Sequence, residues 1–301
     1  MSLSIFNFKT YFLIFITITS ISIIFFVFGS EYIVRKFVSN NSDYEKVRSD
    51  LWNKKNDYAA FSDSRGANGL QQTENFSNFS IRGNNLKTIL KMAKFYLDRN
   101  NVKGIIIQLD PHLFSVYRLQ KNQEIMLEDL LTNDRHFLHF QRPQYKQYLI
   151  EYWISFFKKF NNLFFKNISE NNISTESKKT LDLEKNVEIR VQMHVPVKKY
   201  KESEHLEILM NLIKTLKQKQ IKLCLITFPV KHVYFKKSQK YPTFIEIIRY
   251  FQLIGEKEKI KYINYSNSLN DYFFGDPDHL NIKGANYFSK LVLRDCFGEM
   301  K

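Results

Sequence analysis

The segment Gly104–Leu109 reads GIIIQL, a short β-branched run with no alternating polar face. A strand of this kind is stable only when both faces of its sheet are covered, as in parallel sheets flanked by helices. The surrounding chain supplies such helices. Leu86–Leu97 carries apolar residues at helical spacing (Leu86, Ile89, Leu90, Met92, Ala93, Tyr96, Leu97). Helices predicted over Glu202–Lys217 and Phe244–Glu258 alternate with strands over Ile221–Phe228 and Lys259–Asn264. Tyr58–Phe61 and Phe76–Ile81 read as the first two strands. A last helix runs from about Ile282 to Arg294, with Asn281 as its N-cap. This alternation predicts an α/β domain over 57–301, built on a mostly parallel sheet with helices on both faces.

The alternation breaks between about 113 and 195. Ile125–Leu131 reads as a helix, Tyr148–Phe165 as a helix overloaded with aromatics, and 167–183 as an Asn/Ser/Lys-rich loop. The block is expected to be a helical insertion forming a cap or lid. Its aromatic helix packs on the domain core or, alternatively, touches the membrane surface or lines an acyl pocket.

Tyr11–Phe28 (YFLIFITITSISIIFFVF) contains neither charge nor proline. As a helix it rises about 27 Å, close to the hydrocarbon thickness of a bilayer. Residues 1–29 are therefore read as an N-terminal membrane anchor with the bilayer as its partner through 11–28, and 30–56 as a partly helical linker. Cleavage as a signal peptide near Gly29-Ser30 is the competing reading. The segment Val27-Phe28-Gly29 is a poor small-x-small match for it. The flanking charges (Lys9 before; Glu31, Arg35 and Lys36 after) do not favour export. Short N-terminal anchors usually leave the long domain outside, so the expected location is the cell (inner) membrane, single-pass, with the C-terminal domain extracytoplasmic.

The chain carries 45 Lys and Arg against 30 Asp and Glu, a formal net charge of +15. Such a balance fits either an anionic glycan or lipid partner or lysines scattered over solvated helix faces. No zinc-ligand spacing, RNA-recognition signature or arginine-rich tract points to nucleic acid. No metal or cofactor is expected. Cys224 and Cys296 lie outside any C-x-x-C motif, and buried free thiols are the default for them. A disulfide would need close approach of the two segments and an oxidising compartment.

The polar clusters sit at strand C-termini or in the loops after them, where open α/β sheets bind ligands. Phe61-Ser62-Asp63-Ser64-Arg65-Gly66 follows the first strand, and Gly275-Asp276-Pro277-Asp278-His279 precedes the last helix. A serine hydroxyl needs a base to take its proton and a third group to orient that base. His279 is the candidate base and Asp276 the orienter, with Asp278 expected to point away. Charge developing on a carbonyl oxygen needs donors. The N–H groups of Ser64 and Gly83 are the candidates, with the side chain of Asn84 or Asn85 in addition. His112 and His194 read as satisfied loop histidines.

Ser-Asp-Ser after the first strand, Gly83 after the second and Asp-x-x-His before the last helix resemble the SGNH (GDSL-type) esterase and acyltransferase superfamily. Membrane-anchored envelope members, of the teichoic-acid D-alanine-transfer and alginate O-acetylation types, look most similar. The run HLNIKGANYFSKLV (His279–Val292) has the same look. The similarity covers roughly 57–110 and 202–295. It implies a three-layer, flavodoxin-like α/β/α fold, a Ser64–His279–Asp276 triad and an oxyanion donor at Gly83. The implied activity is that of a serine esterase or O-acyltransferase on an envelope glycan or lipid ester, with an acyl-donor membrane protein as a further partner. Two positions depart from the pattern. Ser62 stands where glycine is usual, and Leu109-Asp110-Pro111-His112 stands where a Gly-x-Asn-Asp block is expected. The missing asparagine supports an alternative, a catalytically inactive scaffold of an envelope-modification complex.

Overall fold

The computed structural model describes residues 5–38, 43–132, 145, 149–150, 152–155 and 176–298. The chain divides into two compact units, 1–45 with 132–170, and 46–131 with 171–301.

In the first unit, helix α1 (Ile5–Ile33) is apolar all round and runs on into a π-helical turn at Val34–Val38. An 18-residue stretch within Thr10–Phe37 has a mean hydropathy of 2.5, and the helix is long and apolar enough to cross a membrane. Phe12, Phe15 and Phe25 are exposed, so the apolar surface of this helix is not covered by the rest of the described chain. The apolar run ends where Glu31 pairs with Arg35 at 2.5 Å. Near this end Phe26 stacks on Trp153 and Phe37 on Tyr152.

The second unit begins in α2 (Asp43–Asn53) and contains the sheet. Its elements follow as β1 (Tyr58–Phe61), α3 (Ser64–Gly69), β2 (Phe76–Asn78), α4 (Leu86–Arg99) and β3 (Gly104–Gln108). Three short helices come next, a 3-10 turn at Pro111–Phe114, α5 (Val116–Leu119) and α6 (Glu124–Leu131). Then come α7 (Glu176–Met193), α8 (Glu204–Gln218), β4 (Lys222–Thr227), α9 (His232–Ser238), α10 (Pro242–Glu258), β5 (Lys261–Asn264) and α11 (Ile282–Phe297). The strand order is β2-β1-β3-β4-β5 and every pairing is parallel. The three-layer α/β/α arrangement expected from the alternation is the one observed.

Register decides which residues face which helices. Phe61, Ile107, Leu225 and Tyr262 align across four strands. On that face Phe61 and Phe79 pack with Tyr96 of α4, and Tyr262 packs on Phe251 of α10. Ala60, Ile106 and Cys224 face the other way, toward Phe288, Val292 and Leu293 of α11. All five residues of β3 are buried, as its β-branched composition requires.

Two expectations change. Residues 176–183 of the predicted loop belong to α7; most of the aromatic segment 148–165, and 167–175, lie outside the described residues. Lys and Glu are good helix formers, and the i, i+4 pair Val187 and Val191 is buried against Val230, Tyr234 and Phe244, which anchors the helix end. The cysteines are not free thiols: Cys224 and Cys296 form a disulfide, with Cα atoms 5.6 Å apart. The sequence offered no pairing signal across 72 residues; it is the packing of α11 on β4 that brings the thiols together.

The bridge closes a long loop and ties down α11. Cys296→Ser is expected to lower unfolding free energy by about 2–4 kcal/mol, read from the shift in denaturant midpoint with and without reductant.

Candidate active site

Ser64 is the first residue of α3, immediately after β1 and a two-residue turn. Asp63 caps the helix, its carboxylate accepting the Arg65 N–H at 2.9 Å, while its own N–H donates to Gln108 Oε1 at 2.7 Å. This turn admits little substitution. A Cβ on Gly66 would lie 1.7 Å from Ser62 Oγ and 2.6 Å from Ser80 Oγ. Ser62 Oγ bonds Ser80 Oγ at 2.7 Å, and Ser80 Oγ donates to Asn78 Oδ1. The serine standing where the resembled family has glycine is thus satisfied by a partner in the next strand's loop.

The second half of the site is the loop Gly275–Leu280. Gly275 N–H donates to His279 O at 2.9 Å, closing the loop. Asp276 Oδ1 accepts the N–H groups of Asp278 and His279 at 3.0 and 2.9 Å. Its other oxygen lies 2.8 Å from His279 Nδ1, and His279 Nε2 lies 2.9 Å from Ser64 Oγ. A carboxylate accepts only, so Nδ1 carries a proton, and in the neutral imidazole Nε2 accepts from the Ser64 hydroxyl. Burial raises the Asp276 carboxyl, but its hydrogen bond and charge interaction with His279 win and hold it below the usual carboxylate range. Asn281 N-caps α11 through Gly284 N–H, so the helix that follows holds the histidine loop in place.

The loop after β2 is pinned from several sides. Gly83 has φ +81°, a conformation that favours glycine, and its carbonyl accepts from Lys121 Nζ and Gln123 Nε2. Asn84 is buried with its side-chain amide nitrogen against Met92 Sδ, and its backbone carbonyl accepts from Arg118. Asn85 caps α4: its side chain accepts from Thr88 N–H and donates to Lys121 O. The Asn85 side chain is therefore committed to structure, away from the role of oxyanion donor. The N–H of Ser64, at the first position of a helix, has no intrahelical acceptor and stays available with that of Gly83.

Beneath Ser64 lies a buried charged layer that reading the sequence left out. Arg65 is 4% exposed and reaches Asp110 Oδ1 at 3.0 Å, Asp278 Oδ2 at 3.3 Å and Tyr234 Oη at 3.4 Å. Asp110 occupies the loop after β3, where the missing asparagine was expected, and also accepts from Gln108 Nε2 and Phe228 N–H. Burial pushes its carboxyl up to about 6 against the pull of Arg65. Asp278 is turned inward, 3.6 Å from His279 Nδ1, and bonds Arg190 of α7 at 2.5 Å. Burial raises its carboxyl, and the positive charge of Arg65 overrides this and holds it far below the usual range.

Asp63 is held far down by His112 and Arg118, which override its burial. His112 Nε2 lies 2.8 Å from Asp63 Oδ2, as does Arg118 Nη2. Burial, with Arg65 nearby, depresses His112 to about 4. Near neutrality the imidazole is neutral and donates through Nε2–H, and Arg118 balances the carboxylate. His194 is also buried, 2.8 Å from Tyr234 Oη through Nδ1. The only sequence hint of this layer was the arginine directly after the nucleophile candidate. Arg118 and Arg190 lie in the unmatched block and carried none.

His112 has a folded pKa depressed below its ordinary 6.5, so its stabilising contribution is complete above about 6.5 and lost toward about 4. Asp110, raised from 3.8 to about 6, works in the opposite direction over the lower part of that window. The difference in melting temperature between the wild type and His112→Gln is expected to shrink from pH 6.5 to 4; a pH-independent difference would contradict a neutral buried imidazole. Gly66→Ala is expected to destabilise by about 1–3 kcal/mol through overpacking, measured by urea unfolding.

No protein-family profile matches the sequence, and no curated protein matches it. Several solved structures are similar at low identity. A Bacteroides fragilis protein named as an acylhydrolase is 12% identical, covering 87% of this chain and 97% of its own, with a TM-score of 0.41. A Streptococcus pneumoniae protein named as a platelet activating factor is 13% identical, covering 93% and 98%, with a TM-score of 0.42. The lipase/acylhydrolase of Enterococcus faecalis is 13% identical, covering 82% and 97%, also at 0.42.

Proposed function

We propose that this chain is a serine esterase or O-acyltransferase, anchored in the cell membrane by α1, acting outside the cytoplasm on an ester of an envelope glycan or lipid. The observation that carries the reading is the hydrogen-bonded chain Ser64 Oγ–His279 Nε2, His279 Nδ1–Asp276 Oδ2, with both links under 3 Å. Ser64 Oγ attacks the ester carbonyl carbon as its proton passes to His279 Nε2. The imidazolium is stabilised by Asp276, and the oxyanion by the N–H groups of Ser64 and Gly83. Collapse expels the alkoxide, which takes the proton from His279, and leaves acyl-Ser64. Water or an acceptor hydroxyl then repeats the sequence in reverse. The disulfide supports an oxidising location, and the +15 charge suits an anionic polymer or lipid surface.

One observation favours a second reading, a scaffold without catalysis. Asp110 replaces the expected asparagine and is committed to Arg65, so it supplies no amide donor.

Full-length protein in detergent is expected to react with a fluorophosphonate probe and to hydrolyse short p-nitrophenyl esters. Ser64→Ala should abolish labelling, and His279→Ala should lower kcat by about 10⁴-fold or more. Labelling that survives Ser64→Ala would sink the site assignment. No labelling and no hydrolysis would favour the scaffold.

A further inference from the structure

Ser64 and His279 are brought together from positions 215 residues apart, yet the hydrogen bond between them is partly exposed and weak by itself. Their chain neighbours make a second, buried link. Arg65 follows Ser64, Asp278 precedes His279, and these two side chains, each 4% exposed, pair at 3.3 Å. The serine–histidine bond and the ion pair therefore cross the same gap one residue apart.

Each end of the ion pair is held from elsewhere. Arg65 is fixed by Asp110 at the end of β3, the centre of the sheet. Asp278 is held by Arg190, whose Nη1 lies 2.5 Å from Asp278 Oδ1 and 3.3 Å from Asp276 Oδ1. A single nitrogen thus reaches both carboxylates of the histidine loop. His194 Nδ1 lies 3.9 Å from Asp278 Oδ2, and Tyr234 Oη bonds both Arg65 and His194. Arg190 and His194 belong to α7 and the turn after it, within the block that interrupts the α/β alternation. Buried, paired charges of this kind are costly to desolvate, and their best-attested use is to fix one arrangement.

We propose that Arg65 and Asp278 are a positioning pair that sets the separation of Ser64 from His279, with Arg190 as its outer arm. The proposal rests on the reading of Ser64 as nucleophile and deepens it: the inserted helix α7 completes the site by holding the loop that carries its base and acid. None of the three side chains is asked to touch the reacting atoms.

The test uses the full chain in detergent, with Asp278→Asn, Arg190→Gln and Arg190→Lys. Asp278→Asn preserves volume and removes the charge. It is expected to lower kcat and the probe-labelling rate by about 100-fold with KM nearly unchanged, as for a small misplacement of reacting groups. Because one Arg190 nitrogen serves both carboxylates, an ammonium can stand in for it: Arg190→Lys should keep most activity, and Arg190→Gln should lose about ten-fold. Thermal melts identify any variant that fails to fold, and the half-exposed Arg190 provides the variant least subject to that failure.

A readout independent of turnover is the downfield proton resonance of His279 Nδ1–H, assigned by its loss in His279→Gln. It should be present in the wild type and broadened or lost in Asp278→Asn. A folded Asp278→Asn or Arg190→Gln with wild-type kcat and an unchanged resonance would overturn the proposal, as would absence of the resonance in the wild type. Absence of Ser64-dependent labelling in the wild type, with the resonance present and sensitive to Asp278, would overturn the esterase reading and leave the positioning pair standing.

Discussion

The buried guanidinium of Arg65 is the constraint around which the site is arranged. A cation this deep in an α/β edge is tolerable only with carboxylates on it, and Asp110 and Asp278 provide them from opposite directions. One comes from the end of the central strand and the other from the loop before the last helix. Satisfying one charge thus joins the nucleophile turn, the sheet and the histidine loop. The Ser64–His279–Asp276 chain lies over this layer rather than holding itself together.

A second set of charges does similar work on the other flank. Asp63 caps α3 and accepts from His112 and Arg118, while Arg118 also donates to Asn84 O. Lys121 and Gln123 close on Gly83 O from the same segment. The loop after β2 and the turn after β1 are therefore joined through residues 112–123, which follow β3. Low dielectric strengthens these bonds and makes each partner hard to remove singly.

Much of this was legible in the chain. Short apolar runs and 3.6-residue periodicity placed the five strands and the helices α4, α6, α8, α10 and α11 within a few residues. The all-round apolar character of Tyr11–Phe28 marked the long N-terminal helix. Ser64, Asp276 and His279 stood out because each lies beyond the C-terminal end of a strand, where an α/β sheet presents its ligands. Asn84 and Asn85 looked equally suited, and the side chain of Asn85 is taken up by a helix cap. An amide beside a helix start competes for the helix's own free N–H groups, and at Asn85 the helix wins.

The sequence by itself determined the alternation, the apolar N-terminal helix and which residue types lie at the strand ends, because those follow from local periodicity and burial. Only the tertiary structure decided partners. The Cys224–Cys296 bridge, the Arg65–Asp278 pair and the reach of Arg190 to both carboxylates join residues 72, 213 and up to 88 positions apart. No local pattern encodes such pairings. They arise when strand order and helix packing bring distant segments into one low-dielectric space, where each buried charge must find its opposite.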